Sequence, residues 1–210
     1  SFFSLNTLFE SSYDVYARFK SYKEQISNNV LPNKPGSGSH PDYPEYAEGY
    51  GPTSYAVNVP AFLAAYTGKA INEVPLNIQD EVPNLGFLPK PNWSLRYDGL
   101  SKLPFFKNFL TSFTLRHAYN SKINVSKFNT APDFLDGDPF LTNISNNNYY
   151  SRLEIPAMSI NEQFNPLIGI QMKTKKNMNL NFEYKKSRQL DLRLNANELA
   201  EIKGSEMVFG

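Results

Sequence analysis

The feature that most constrains this chain is a strict alternation of apolar and polar side chains near its C-terminal end. From Asn179 to Asn197 every second residue is polar, at ten positions out of ten. The positions between them hold mainly apolar residues, with two basic exceptions: Leu180, Phe182, Tyr184, Lys186, Arg188, Leu190, Leu192, Leu194 and Ala196. A helix would mix the two sets on each face, whereas a strand separates them onto opposite faces. The pattern therefore predicts one long β-strand over residues 178–196.

Other segments alternate with the same period. They are predicted to be strands as well: residues 92–98, 111–128, 164–175 and a last strand from about residue 205. Residues 175–177 leave room for only a tight turn, so the strands on either side of them are expected to form an antiparallel hairpin. The preceding connection, residues 130–161, is predicted to be a long loop. Residues 91–210 are thus predicted to be a domain of antiparallel strands.

The first 90 residues follow different patterns. Thr7 and Glu10 have the spacing of a helix capping box, and apolar residues at helical spacing predict an amphipathic helix over residues 8–26. Residues 32–52 contain nine proline or glycine residues, which predicts an extended loop. We therefore predict that residues 1–90 form an elaboration of helix and Pro/Gly/Tyr-rich loop beside the strands.

The length of the strands indicates a class of fold. Strands of globular proteins usually have about 3–10 residues, whereas the alternation from Phe109 to Val125 and from Leu180 to Ala196 extends over roughly 17 residues. Transmembrane β-barrels use long antiparallel strands, with apolar residues outward and polar residues inward. Because such a barrel needs at least about eight strands, the chain is expected to be a fragment of a transmembrane β-barrel.

This interpretation assigns each strand residue to one of two environments. The residues predicted to face lipid are Leu115, Tyr119, Ile123, Val125, Ile168, Ile170, Leu180, Phe182, Tyr184, Leu190, Leu192 and Leu194. The residues predicted to face the lumen are Arg116, Asn120, Lys122, Asn181, Glu183, Lys185, Gln189, Asp191, Arg193 and Asn195.

Composition and motifs argue against several other functions. The net charge of +1 argues against nucleic-acid binding, and the absence of cysteine excludes disulfides and thiolate zinc sites. The sequence contains no nucleophile elbow, P-loop or zinc-protease motif. His40 and His117 are far apart in sequence, and His117, which lies at an apolar position beside Tyr119, is predicted to be an interfacial or packed side chain rather than a metal ligand. We therefore predict no enzymatic activity, no catalytic residue, no cofactor and no metal site.

Several segments resemble a known family in their order and spacing. Residues 163–169 (QFNPLIG) and 183–188 (EYKKSR) carry the resemblance most clearly. Shorter segments fit in the same order: residues 49–52, 60–66, 91–93, 97–100 and 117–119, and later Asn197, Glu198, Leu199, Glu201 and Ile202. Together they resemble the SprA/Sov family, the outer-membrane translocons of the type IX secretion system.

The resemblance implies a function in protein transport. Proteins of this family form a very large single-chain barrel in the cell outer membrane, through which folded cargo is secreted, and in some bacteria they are linked to gliding motility. The implied partners are the remaining strands of the same barrel, a PorV-like shuttle barrel, a periplasmic plug protein, secreted cargo proteins and outer-membrane lipid. No nucleic acid is implied.

Two other interpretations fit the alternating pattern. One is another large outer-membrane transporter barrel, because the same alternation serves any such barrel. The other is a soluble β-rich module that binds carbohydrate through its aromatic residues, which make up 14% of the chain. Membrane fractionation distinguishes the soluble module from the two barrels.

Overall fold

The structure is a computed structural model that describes residues 6–31, 38–74, 92–134, 138 and 140–210. In these residues the α-helices are α1 (Asn6–Phe9), α2 (Ser12–Asn29), α3 (Tyr55–Thr67) and α4 (Pro104–Lys107). The strands are β1 (Trp93–Tyr97), β2 (Leu110–Thr130), β3 (Leu153–Thr174), β4 (Asn179–Arg193) and β5 (Glu198–Phe209). Short 3-10 helices lie at Ile71–Glu73 and Gly99–Lys102.

The described strands form one antiparallel sheet in the order β1-β2-β3-β4-β5, which is not closed into a barrel. β2 has 21 residues and β3 has 22, so both exceed the usual length of globular strands. The predicted mainly β fold with a helical N-terminal part is confirmed. Each strand therefore lies beside the strand that follows it in the sequence.

The start of β3 differs from the prediction. β3 begins at Leu153 rather than at residue 164, so the loop predicted over residues 130–161 extends only over residues 131–152. The buried positions of β3 change parity within the strand, from Leu153 and Ile155 to Met158 and Ile160, on either side of Pro156. This shift of one residue, together with a proline, obscures the alternation in the sequence.

The hairpin between β3 and β4 is confirmed, but β4 is shorter than predicted. Asn177 has a positive φ of 61°, and the amide of Thr174 donates to the carbonyl of Met178 at 2.9 Å, which closes the turn. A second turn over residues 194–197 ends the predicted strand 178–196 early, and β5 begins at Glu198 rather than near residue 205. The polar residues of this turn satisfy the alternation equally well, so the pattern alone did not reveal it.

The predicted first helix is divided in two, and its capping box is wrong. α1 ends at Phe9 and α2 begins at Ser12. The hydroxyl of Thr7 donates to the carbonyl of Tyr66 at 3.0 Å, while Glu10 pairs with Arg18. The Thr7 side chain, which the local spacing assigned to the start of a helix, thus binds a residue distant in the sequence.

α3 is the core of the N-terminal part. It is apolar on all sides, and every residue from Ala56 to Thr67 is buried, as expected for a helix without a polar face. Phe19 of α2 packs on it, with its ring centroid 6.4 Å from that of Phe62. α3 ends at Gly68, whose φ of 71° is readily adopted only by glycine. Within the described residues, no helix has both the length and the apolar character needed to span a membrane.

The chain divides into two compact units. The first consists of Ser1–Phe87, Val125–Met158 and Asp191–Leu199. The second consists of Leu88–Asn124, Ser159–Leu190 and Ala200–Gly210. The first unit thus includes parts of the later strands and loops, and the second unit includes most of the strand residues.

Candidate functional site

One face of the sheet in the second unit is polar. Cross-strand pairing places Ser94 opposite Ala118 and Arg96 opposite Arg116, and directly opposed residues share a face. This face, here called the polar face, includes Ser94, Arg96, Thr114, Arg116, Asn120, Gln163, Asn165, Gln171, Lys173, Asn181, Glu183, Lys185 and Glu206. Each of the five strands therefore presents at least one charged group to the same side.

Ion pairs connect three strands across the polar face. Arg116 of β2 donates to Glu183 of β4, and the ammonium of Lys185 lies 3.9 Å from Glu183 and 3.3 Å from Glu206 of β5. Gly169 of β3 lies beside Arg116, and a Cβ atom at this glycine would come within 3.3 Å of the Arg116 Cβ. The missing side chain leaves room for the guanidinium to pass over β3 and reach β4.

The polar face also contains shallow clefts. One of them is about 410 Å³ and is lined by side chains that include Asn92, Asn120, Gln163 and Asn165. Two others of about 330 Å³ each lie beside Lys185 and Lys173. Their linings combine amide, hydroxyl and charged groups with apolar side chains such as Trp93 and Met172.

The opposite face of the same sheet carries exposed apolar side chains. Tyr97 lies opposite Leu115 in the ladder between β1 and β2, and the rings of Phe182 and Phe209 lie 5.2 Å apart between β4 and β5. The exposed apolar residues of this face, here called the apolar band, are 37–73% exposed: Leu95, Tyr97, Leu115, Ile168, Leu180, Met207 and Phe209. Exposed apolar surface on neighbouring strands marks a contact with a partner or a membrane.

Aromatic side chains form a cluster next to the apolar band. The ring of Tyr119 lies 4.6 Å from that of Trp93 and 5.0 Å from that of Phe164. His117 packs 5.4 Å from Phe164, and its Nδ1 donates to the carbonyl of Leu167 at 2.6 Å. His117 is therefore a packed side chain, as predicted.

A buried ion pair lies beside this cluster. Arg188 of β4 donates to Glu162 of β3, and the hydroxyl of Tyr119 donates to the other Glu162 oxygen at 3.1 Å. The Arg188 side chain is 0% exposed and that of Glu162 is 6% exposed. The sequence offered only a weak signal for this pair: Arg188 interrupts the apolar positions of its strand, and Glu162 lies just before the predicted strand 164–175.

The residues predicted to face lipid fall into three groups. Leu115, Ile168 and Leu180 are exposed in the apolar band. The half-buried members are Ile123, Val125, Ile170, Phe182 and Tyr184. The buried members, which are at most 7% exposed, are Tyr119, Leu190, Leu192 and Leu194. Other residues of the chain cover the side chains of these four.

The residues predicted to face the lumen all retain contact with the surroundings. The exposed members are Asn120, Lys122, Gln189, Arg193 and Asn195. The half-buried members are Arg116, Asn181, Glu183, Lys185 and Asp191. The two faces therefore differ most in polarity at Leu115, Ile168 and Leu180, where exposed apolar side chains alternate with polar ones along the strand.

The first unit contains a network between two loops that the sequence did not indicate. His40 Nε2 donates to the carbonyl of Asn146 at 3.1 Å. Asn148 accepts a hydrogen bond from the amide of Gly51 at 2.7 Å and donates to the hydroxyl of Thr53 at 2.9 Å. Buried polar groups are thereby satisfied by residues about a hundred positions apart. Among the described residues, no group of three or more His, Cys, Asp or Glu is arranged to hold a metal ion.

The free energy of unfolding is expected to depend on pH through Tyr46, which is buried and lies between α2 and α3 in the sequence. Burial raises the pKa of Tyr46 to about 12, and the carboxylates of Glu24 and Glu45 add to this effect. Because an unfolded tyrosine ionises near pH 10, the contribution to stability is complete below about pH 10 and is lost as the pH rises through about 12. Urea unfolding across this range should show a smaller loss of stability for Tyr46→Phe than for the wild type. Parallel profiles for the two proteins would contradict the assignment.

No known protein-family model and no curated protein matches this chain. The function therefore has to be inferred from the two faces of the sheet and from the residues that occupy them.

Proposed function

We propose that this chain is a segment of an outer-membrane β-barrel translocon for protein secretion, of the SprA/Sov type. The observation that supports the proposal is the apolar band on one face of a long antiparallel sheet, directly behind a polar face with charged residues. A soluble sheet exposes its polar face and buries its apolar face, whereas a barrel in a membrane exposes apolar residues to lipid and polar residues to a lumen.

The polar face fits the wall of an aqueous pore. Its charges are held in pairs between strands, such as Arg116 with Glu183 and Lys185 with Glu206. Paired, partly exposed charges keep the wall hydrated, and opposite charges lie beside each other along it. Transport through such a pore depends on its width and polarity, so we propose no enzymatic step and no cofactor.

The edges of the sheet fit a role as part of a larger barrel. Among the described strands, β1 and β5 each have one neighbour. Natural proteins rarely leave long strand edges unpaired, and a barrel satisfies them by closure. We propose that the remaining strands of the same barrel pair with these edges, in contact with outer-membrane lipid, a PorV-like shuttle barrel, a periplasmic plug protein and secreted cargo.

Labelling at adjacent residues tests which face contacts lipid. The chain has no cysteine, so Leu180→Cys and Asn181→Cys each introduce a single site for an environment-sensitive fluorophore. In the native membrane, the label at Leu180 is expected to report an apolar environment and to be quenched by nitroxide lipids. The label at Asn181, one residue away on the opposite face, should be quenched by a water-soluble agent instead.

Equal responses at the two positions would contradict a membrane barrel and would favour the soluble carbohydrate-binding module. A nutrient-transporter barrel would give the same labelling result as a translocon. Depletion of the native protein distinguishes these two, since a translocon is expected to be required for secretion of folded proteins and a transporter for uptake of a solute.

A further inference from the structure

Two lysines follow the apolar band on its own face. Lys186 lies on β4 at the same parity as Leu180 and Phe182. The backbones of Asn181 and Gly210 exchange hydrogen bonds of 2.6 and 2.9 Å, and this register places Lys203 of β5 opposite Arg188. The two strands therefore change together, from exposed apolar side chains near the ends to basic side chains further along.

The spacing of this change matches the apolar part of a membrane. Six residues separate Leu180 from Lys186, which is about 20 Å along a strand. The outward-facing apolar band of a membrane barrel is roughly 25 Å tall. Long basic side chains at such a boundary lay their methylene groups on apolar surface and extend their charges to the lipid headgroups.

The charges around the two lysines favour an anion. Lys203 and Arg188 are the positive groups that act on Lys186. Arg188 is buried with Glu162, and Lys203 lies 3.3 Å from Glu201. Of the charged side chains named here three are basic and two are acidic, and the apolar band extends from them over the same two strands.

We propose that Lys186 and Lys203 bind the phosphate group of an anionic lipid whose acyl chains lie on the apolar band. This inference rests on the proposed membrane function. It adds to that function the class of lipid that contacts β4 and β5 and the two side chains that select it.

Lipid titration of the full chain tests the proposal. The protein is placed in phosphatidylcholine bilayers, and the affinity for added phosphatidylglycerol is measured for the wild type and for the double variant Lys186→Gln, Lys203→Gln. Each lysine is expected to contribute about fivefold, so the double variant should bind roughly twenty-five-fold more weakly. The matched control, Lys173→Gln with Lys185→Gln, removes the same charge from the polar face and should bind phosphatidylglycerol as the wild type does.

Membrane fractionation of cells that make the native protein separates the two proposals. Recovery outside the outer-membrane fraction contradicts the membrane function, whereas recovery in that fraction with equal phosphatidylglycerol affinity in wild type and double variant contradicts only the headgroup site. An equal loss of phosphatidylglycerol affinity in the control variant would also overturn the site, because the loss would then follow from the change in net charge alone. Displacement of the lipid by inorganic phosphate at the same concentration would overturn the assignment to a lipid.

Discussion

Replacement of Arg188 by methionine is expected to lower the free energy of unfolding by about 3–5 kcal/mol. The Arg188 side chain is fully buried and pairs with Glu162, which is 6% exposed. Methionine keeps an apolar stem of similar length but leaves the Glu162 charge in a dry environment, with the hydroxyl of Tyr119 as its remaining hydrogen-bond donor shown here. Equilibrium unfolding in denaturant measures the loss.

The matched control for this prediction lies on the same strand. Arg193 and Glu198 form an ion pair of 3.5 Å in which both side chains are more than half exposed. Arg193→Met is therefore expected to change stability by no more than about 1 kcal/mol. Adding Glu162→Gln to Arg188→Met should recover part of the loss, because it removes the unpaired charge. If Arg188→Met and Arg193→Met lowered the free energy of unfolding equally, the buried ion pair would contribute no more to stability than the exposed one.

Replacement of Gly49 by alanine is expected to cost about 2–5 kcal/mol, the sum of backbone strain and overpacking. Gly49 has a φ of 76°, which side chains other than glycine rarely adopt. A Cβ atom at this position would overlap the ring of Tyr149. That ring is only 4% exposed and packs edge-on against Tyr50 at 5.2 Å, so it has little space to move away.

Gly38 provides the control for Gly49. Like Gly49, it lies between α2 and α3, and no atom lies within 4 Å of a Cβ atom built there. Gly38→Ala should therefore remain within about 0.5 kcal/mol of the wild type in the same unfolding measurement. A similar cost at both glycines would mean that the contact between the two loops is dispensable for the stability of the first unit.

Local patterns predicted the strands where a single rule held over many residues. The alternation in β4 needs only the two-residue period of a strand, and the turn at residues 175–177 needs only a short polar connection with Asn177 at positive φ. The start of β3 was missed because the buried parity shifts near Pro156. A pattern that changes register within an element cannot be recognised without its partner strands.

The candidate site shows the same limit. Alternation placed Arg116, Glu183 and Lys185 on one side of their strands, but it did not indicate that Arg116 reaches Glu183 across β3, beside Gly169. Whether a small residue of β3 lies between Arg116 of β2 and Glu183 of β4 depends on the register of all three strands. That register is set by the whole sheet and not by any one segment.

The sequence by itself determined the strand period, the amphipathic character of the strands and the local hairpin, because these depend on neighbouring residues. Only the tertiary structure decided what covers each face. Leu180 and Leu190 occupy equivalent positions in one alternating pattern, yet Leu180 is 42% exposed and Leu190 is fully buried. His40 and Asn146 likewise meet across more than a hundred residues. Burial and pairing of this kind arise from segments distant in the chain, and a periodic pattern carries no information about them.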